Sequence, residues 1–131
     1  MDRDCKLRIA RPTDRLAELA AMYERGLGLK RLGAFEDHDG FDGIMLGHPH
    51  QQWHLEFTHR SGHSVGRAPN NECLLVFYVE DEAAHAAAQR DMLAAGFVEV
   101  VPDNPYWLTH GVSFADLDGY RVVLQRADWP R

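Results

Sequence analysis

Two side chains with the chemistry to move protons or hold a metal ion, His54 and Glu56, lie two residues apart. The segment 53–57 alternates apolar and polar residues, which predicts a β-strand, and residues i and i+2 of a strand point to one face. We therefore expect His54 and Glu56 to lie side by side, with Trp53 and Phe57 in the core behind them. If the chain is an enzyme, Glu56 is the residue we expect to be catalytic, as a general base.

The composition excludes some classes of partner. The chain has 131 residues, with 14 Lys and Arg against 20 Asp and Glu, and a net charge of −6 at pH 7. An acidic surface without clustered cations argues against nucleic acid and against a membrane as partner. No apolar run reaches the ~18 residues of a membrane helix, and residues 1–6 do not resemble a signal peptide. We expect a cytoplasmic protein in which Cys5 and Cys73 are both free thiols.

The elements that would position these residues occur twice. A helix is predicted from Asp14 to Gly28 and another from Asp81 to Gly96, and the strand that holds Glu56 has a counterpart at Val123, so the repeat is about 67 residues long. We predict a single α+β domain over residues 1–131, built from two βαβββ modules at 6–58 and 72–126 joined by a linker at 59–71. The two sheets are expected to form a curved half-barrel with the helices outside and a ligand pocket inside.

The helix predictions rest on spacing and capping. Pro12, Thr13 and Asp14 break the first strand and offer capping side chains for the first helix, and Asp81 is expected to cap the second. The first helix is expected to bury one apolar stripe, which consists of Leu16, Leu19, Ala20, Tyr23 and Leu27. On one side, the second helix carries Ala84, Ala88, Met92 and Ala95.

Several segments resemble the vicinal oxygen chelate (VOC) superfamily, which includes glyoxalase I, extradiol dioxygenases and bleomycin-resistance proteins. Residues 22–29 resemble the helix end of the first module, residues 54–58 its carboxylate-bearing last strand, and residues 114–124 the closing motif of the superfamily. The loop Asn104–Trp107 and the opening Arg8–Pro12 resemble a small bacterial subgroup of uncharacterised glyoxalase-like proteins. The resemblance implies a pocket for a small-molecule ligand and a homodimer.

The same resemblance locates the expected metal ligands. Metal-binding members take one ligand from the first and one from the last strand of each module, usually His or Glu. Here those positions fall on Arg8, Glu56, Leu74 (or Leu75) and Val123, of which only Glu56 suits a metal ion. We therefore predict no metal and no cofactor, and we expect Arg8 to pair with Glu56 where the ion would lie. In the alternative, Arg8 points outward and Glu56 bonds a neighbouring strand.

Further residues could bind a ligand. Tyr106 and Trp107 lie in a loop that would overhang the pocket, where rigid aromatic rings stack on flat or apolar ligands. Tyr78 and Gln125 would share the strand faces of Leu74 and Val123, and His110 begins a strand that could look inward. A displaced metal site made of His54, Glu56 and His110 is the alternative to a metal-free pocket.

The remaining histidines are not expected to act. His85 is predicted to be exposed on the second helix. The others are expected to be solvated in turns or the linker, namely His38, His48, His50, His59 and His63.

Three functions remain open from the sequence. The first is a metal-free binding protein for a small molecule, similar to bleomycin-resistance proteins. The second is a metal-dependent lyase, isomerase or dioxygenase of glyoxalase type with non-standard ligands. The third is a metal-free enzyme with Glu56 as base and Arg8 as electrostatic stabiliser. The absence of three of the four expected metal-binding side chains favours the first function, a binding protein. The sequence does not identify the small molecule that is bound or show whether any reaction is catalysed.

Overall fold

The computed structural model describes residues 1–129. Within that range the chain forms eight β-strands, two α-helices and one short 3-10 helix. These elements group into two compact units, one made of residues 1–24 and 28–66, the other of residues 25–27 and the chain from 67 onward.

The first unit contains one mixed sheet and most of one helix. Its elements are β1 (Leu7–Pro12), α1 (Leu16–Leu27), β2 (Lys30–His38), β3 (Phe41–Gly47) and β4 (Trp53–Arg60). The sheet order is β1-β4-β3-β2, with β1 parallel to β4 and the other pairs antiparallel.

The second unit repeats this connectivity. Its elements are β5 (Leu74–Tyr78), α2 (Glu82–Ala94), β6 (Val98–Val100), the 3-10 helix (Pro105–Leu108), β7 (Gly111–Ala115) and β8 (Arg121–Gln125). The order β5-β8-β7-β6, with β5 parallel to β8, matches the first sheet strand for strand. The predicted α+β fold with two βαβββ modules is therefore confirmed.

The first sheet has two different faces. Leu19, Ala20 and Tyr23 on α1 have no exposed surface, as the apolar stripe predicts. The Tyr23 ring meets Phe57 edge-on with ring centres 4.9 Å apart, so Phe57 belongs to the core under the helix. Side chains alternate along a strand, and therefore Glu56 points to the face away from α1.

The prediction that Asp14 caps the first helix is wrong. The cap position of α1 is Arg15, whose side chain makes no capping hydrogen bond. The Asp14 carboxylate instead accepts hydrogen bonds from the backbone nitrogens of Val65 (2.8 Å) and Gly66 (2.9 Å) and from the Ser64 hydroxyl. Long-range backbone donors outcompete the local cap here, and they lower the pKa of Asp14 below its ordinary value of 3.8.

The second helix begins as predicted, but its buried face differs. Asp81 Oδ2 accepts from the Ala84 nitrogen at 2.8 Å, which confirms the cap. Ala84 is exposed, whereas His85, which we expected to be exposed, is buried. His85 Nε2 lies 2.8 Å from the Leu124 carbonyl oxygen and must donate, because a carbonyl only accepts. His85 Nδ1 then accepts from Gln89, and both ring nitrogens are satisfied.

The linker is shorter than predicted because β4 continues into it. His59 lies inside β4, and its Nδ1 is 3.1 Å from the Thr13 carbonyl oxygen, so it is not a solvated linker residue. His38 likewise ends β2 instead of lying in a turn. Cys5 and Cys73 are free and exposed, as expected. Across residues 1–129, no helix has both the length and the apolar character needed to cross a membrane.

The end of the linker is held by the turn of the last hairpin. Asp116 Oδ1 accepts from the backbone nitrogens of Asp118 and Tyr120 and shapes this turn. The Asp118 carbonyl oxygen in turn accepts from the Ala68 nitrogen at 2.9 Å, and Arg67 donates to the Leu117 carbonyl oxygen. The second unit therefore fixes residues 67–68, just as the first fixes residues 64–66.

Replacing Asp14 with Asn is expected to loosen residues 64–66, because the charged acceptor of two backbone N–H groups is lost. At pH 7 the variant should show faster amide exchange at Val65 and Gly66 and a lower melting temperature than the wild type. Since the pKa of Asp14 is lowered by folding, its stabilising contribution is complete above about pH 3.8 and is lost as the pH falls through the lowered folded value. The difference between the two proteins should therefore shrink in acid. Asp39→Asn, at an exposed turn, is the control and should change neither measurement.

Candidate functional site

Parallel pairing of β1 with β4 brings together the first group of polar side chains. The register sets Arg8 beside His54 and Ala10 beside Glu56, so Arg8, His54 and Glu56 share one face. Arg8 Nε donates to His54 Nε2 at 2.9 Å, and Arg8 Nη1 lies 3.3 Å from Glu56 Oε2. The predicted contact between Arg8 and Glu56 is present, and the Arg8 side chain is at the same time half exposed to solvent.

This group can act as a fixed set of hydrogen-bonding partners. In this contact His54 Nε2 is the acceptor, because a guanidinium has N–H donors and no lone pair to offer. The Arg8 side chain is 50% exposed and the Glu56 side chain 12% exposed, so the carboxylate is sheltered while its cation faces solvent. A ligand that reaches this face would meet an arginine whose orientation is already set.

The donor set does not fit a divalent ion. Glu56 is engaged by Arg8, and the corresponding positions of the second unit, Leu74 on β5 and the fully buried Val123 on β8, have aliphatic side chains. Within residues 1–129 no three His, Cys, Asp or Glu side chains come together in a way that could hold a metal ion.

The second unit has its own polar group on the equivalent face. The register puts Arg121, Val123 and Gln125 of β8 on the same face as Ser113 of β7. A cavity of about 270 Å³ opens over this face, and Leu74, Trp107, Ser113 and Arg121 line it.

The side chain of Arg121 crosses the sheet. Arg121 Nη1 donates to the carbonyl oxygen of Val101, which follows β6, at 3.0 Å and lies 3.6 Å from Asp103 Oδ1. Since β7 runs between β8 and β6, the side chain must pass over β7, where Ala115 and Ser113 are small enough to leave room. The guanidinium is thereby held at the floor of the cavity.

Three buried polar atoms on this face have no hydrogen-bond partner in the part of the chain that the structure describes. They are Ser113 Oγ, Arg121 Nε and Gln125 Oε1. Ser113 is 3% exposed and the Arg121 side chain 11% exposed. Most buried polar atoms are satisfied, and an unsatisfied one costs about 1–3 kcal/mol. Ser113 and Arg121 line the cavity, so water or a bound ligand there can supply the partners that their buried atoms need.

The structure separates the ligand-binding residues predicted in the second module. Trp107 lines the cavity just described, whereas Tyr106, His110 and Gln125 line a more open cleft. Tyr106 and Trp107 meet edge-on with ring centres 4.9 Å apart. Tyr78 is exposed, and its ring centre lies 6.2 Å from that of Trp129.

Sequence reasoning missed Ser113, Arg121 and Asp103. The signal for Arg121 was available, because strand alternation puts it on the same face as Val123 and Gln125. Nothing in the sequence shows that Arg121 reaches Val101 and Asp103 or that Ser113 lacks a partner, since both depend on loop packing.

Comparison with known proteins agrees with this architecture. The model of the YycE-like N-terminal domain matches residues 7–58, and that of the YycE-like C-terminal domain matches residues 72–126. The uncharacterized protein YycE of Bacillus subtilis strain 168 is 45% identical over 122 residues, which cover 93% of this chain and 88% of the relative.

Solved structures extend the comparison. A B. subtilis YycE structure, described as a protein of unknown function and a candidate glyoxalase/fosfomycin resistance protein, matches with a TM-score of 0.88 at 44% identity over 96% of this chain and 92% of that chain. The fosfomycin resistance protein FosX of Mesorhizobium loti matches with a TM-score of 0.74 at 11% identity, over 98% and 95% of the two chains. The trypanothione-dependent glyoxalase I of Leishmania major matches with a TM-score of 0.71 at 20% identity, over 91% and 84%. The last two show a shared fold alone. The chain belongs to the YycE-like family and has the fold of the vicinal oxygen chelate superfamily.

Proposed function

We propose that this chain is a small-molecule-binding protein that works without the metal ion of its superfamily. One observation carries the proposal. The guanidinium of Arg8 contacts both His54 Nε2 and Glu56 Oε2, and so it takes up the donors of the first unit that a metal ion would need.

Electrostatics support this proposal. A divalent cation at Glu56 would have to displace Arg8 or bind beside it, and two positive charges a few ångströms apart repel each other. The aliphatic Leu74 and Val123 offer no ligands in compensation, because metal ions need lone pairs on nitrogen, oxygen or sulfur.

A binding role also needs a cavity of suitable size. The cavity in the second unit, about 270 Å³, has an apolar wall of Leu74, Pro102 and Trp107, while the other residues that line it are polar, which suits a small polar ligand. Two fold relatives have names that refer to small molecules, fosfomycin in one and trypanothione in the other, and this supports a small-molecule ligand for the present chain.

A metal-free enzyme is the second candidate function. The Arg8 contact involves Glu56 Oε2, so Oε1 could still accept a proton from a substrate. Once a turnover assay exists, Glu56→Gln should reduce the rate by about 100-fold or more if Glu56 is the base. Unchanged turnover would remove Glu56 from the chemistry.

The cytoplasmic location and the homodimer stay predictions from sequence and resemblance. Sedimentation velocity over a range of concentrations tests the dimer directly, because a monomer at all concentrations would contradict it.

Elemental analysis tests the absence of a metal site. Purified protein incubated with Zn²⁺, Ni²⁺, Mn²⁺ or Fe²⁺ and then desalted should retain well below one ion per chain. Its melting temperature should not change, whereas an ion present at 100 times its dissociation constant would stabilise the fold by about 2.7 kcal/mol. Stoichiometric metal that disappears on Glu56→Gln would overturn the proposal.

Replacing Arg8 with Leu tests whether the Arg8 group is a structural support or a ligand-facing one. Because Arg8 is half exposed, we expect the free energy of unfolding in urea to change by less than about 1 kcal/mol. Arg31→Leu is the matched control, since Arg31 pairs with Glu24 at 2.9 Å and is 48% exposed. A loss several times larger for Arg8 than for Arg31 would show that the pair is structural.

A further inference from the structure

The cavity of the second unit has different chemistry at its floor and at its mouth. Ser113 and Arg121 line the floor, where Ser113 Oγ and Arg121 Nε are buried donors without a partner in the described residues. Asp103 and Glu72 also line the cavity, and both residues are exposed. The cavity therefore offers donors inside and carboxylates outside.

The charges limit which ligands fit. One cation, Arg121, faces two anions, Asp103 and Glu72, so the charged groups of the cavity sum to −1. A bare anion would gain from Arg121 and lose to both carboxylates, while a bare cation would leave the floor donors unsatisfied. A molecule with a negative acceptor group at one end and a positive donor group at the other satisfies both sets.

We propose that this cavity binds a small amino carboxylate, a molecule with a carboxylate and an ammonium group a few bonds apart. This inference rests on the proposed function and assigns a ligand class to the cavity in the second unit.

The carboxylate end would bind at the floor. It would pair with the Arg121 guanidinium and, once the serine side chain rotates toward the cavity, accept from Ser113 Oγ–H. A charge-assisted hydrogen bond to arginine is among the stronger contacts available to it. Asp103 is the competing anion, but its Oδ1 lies 3.6 Å from Arg121 Nη1, beyond ordinary hydrogen-bond length, and its side chain is 48% exposed. A ligand carboxylate can displace it at little cost.

The ammonium end would bind at the mouth. There Glu72 and the released Asp103 supply carboxylate oxygens that accept its hydrogen bonds. The body of the ligand would lie between Leu74 and the Trp107 ring, where a flat or apolar group loses contact with water. This pose uses both floor donors, both carboxylates and the apolar wall.

A structural role for Ser113 does not explain its hydroxyl. A buried hydroxyl without a partner destabilises the fold, and alanine fills the same place without that cost. We therefore expect Ser113→Ala to leave the melting temperature unchanged or to raise it. This result separates a ligand contact from a structural one.

Three related probes test the ligand class by isothermal titration calorimetry on the full chain. L-phenylalanine has both charged groups, 3-phenylpropionate has the carboxylate alone, and 2-phenylethylamine has the ammonium alone. We expect L-phenylalanine to bind at least about tenfold more tightly than either of the others, because each lacks the partner for one end of the cavity. Equal affinities for all three, or no binding of L-phenylalanine at millimolar concentration, would overturn the proposal.

Two variants test where the two ends of the ligand bind, one variant for each end. Ser113→Ala should weaken L-phenylalanine and 3-phenylpropionate by about tenfold and leave 2-phenylethylamine unchanged. Glu72→Gln should weaken L-phenylalanine and 2-phenylethylamine but not 3-phenylpropionate. Glu99→Gln is the matched control, because Glu99 is exposed and pairs with Phe114 on the opposite face of the sheet. Affinities that do not change in Ser113→Ala and Glu72→Gln would place the ligand elsewhere and overturn the assignment.

The experiments distinguish an incorrect ligand class from an incorrect proposal of a metal-free function. A metal-free protein that binds none of these probes contradicts the amino carboxylate alone. Stoichiometric metal lost on Glu56→Gln contradicts the metal-free function whatever the probes do.

Discussion

Parallel pairing of β1 with β4 sets Arg8 directly beside His54. From there the Arg8 guanidinium also reaches Glu56, with Nη1 3.3 Å from Oε2. A carboxylate that is 12% exposed needs a counter-charge, and in this chain the charge comes from a side chain instead of an ion. Because the guanidinium contacts an imidazole and a carboxylate together, the three groups hold one another in place. The polar side chains on this face of the first sheet are thereby positioned by contacts with one another.

The equivalent faces of the two sheets carry different polar residues. Position for position along the last strands, His54 and Glu56 correspond to Arg121 and Val123. In the first unit the hydrogen bonds among Arg8, His54 and Glu56 are made within the group. In the second unit Ser113 Oγ and Arg121 Nε have no partner within residues 1–129, and both residues line a cavity. The polar groups of the first repeat therefore pair with one another, whereas two of those in the second repeat are left for a ligand.

The sequence predicted the repeat and the helices, because these depend on periodicity, and the resemblance to the superfamily, which marked Arg8 and Glu56 as equivalent to metal ligands, led to their expected pairing. It failed where distant backbone groups decide the outcome. Asp14 accepts from Val65 and Gly66 instead of capping α1, and buried His85 finds the Leu124 carbonyl oxygen. The cavity was missed for the same reason, since its floor depends on how Arg121 crosses β7.

Gly111 explains how the loop comes so close to the sheet. A Cβ at this position would lie 2.5 Å from the Trp107 carbonyl oxygen and 2.6 Å from Gln125 Oε1, and the first of these is backbone that cannot turn aside. Any side chain at position 111 would push the segment that carries Trp107 away from the sheet and widen the opening of the cavity. Glycine at 111, serine two residues later and arginine eight residues after that form a compact signature, by which homologues that preserve this chamber can be told from those that have remodelled it.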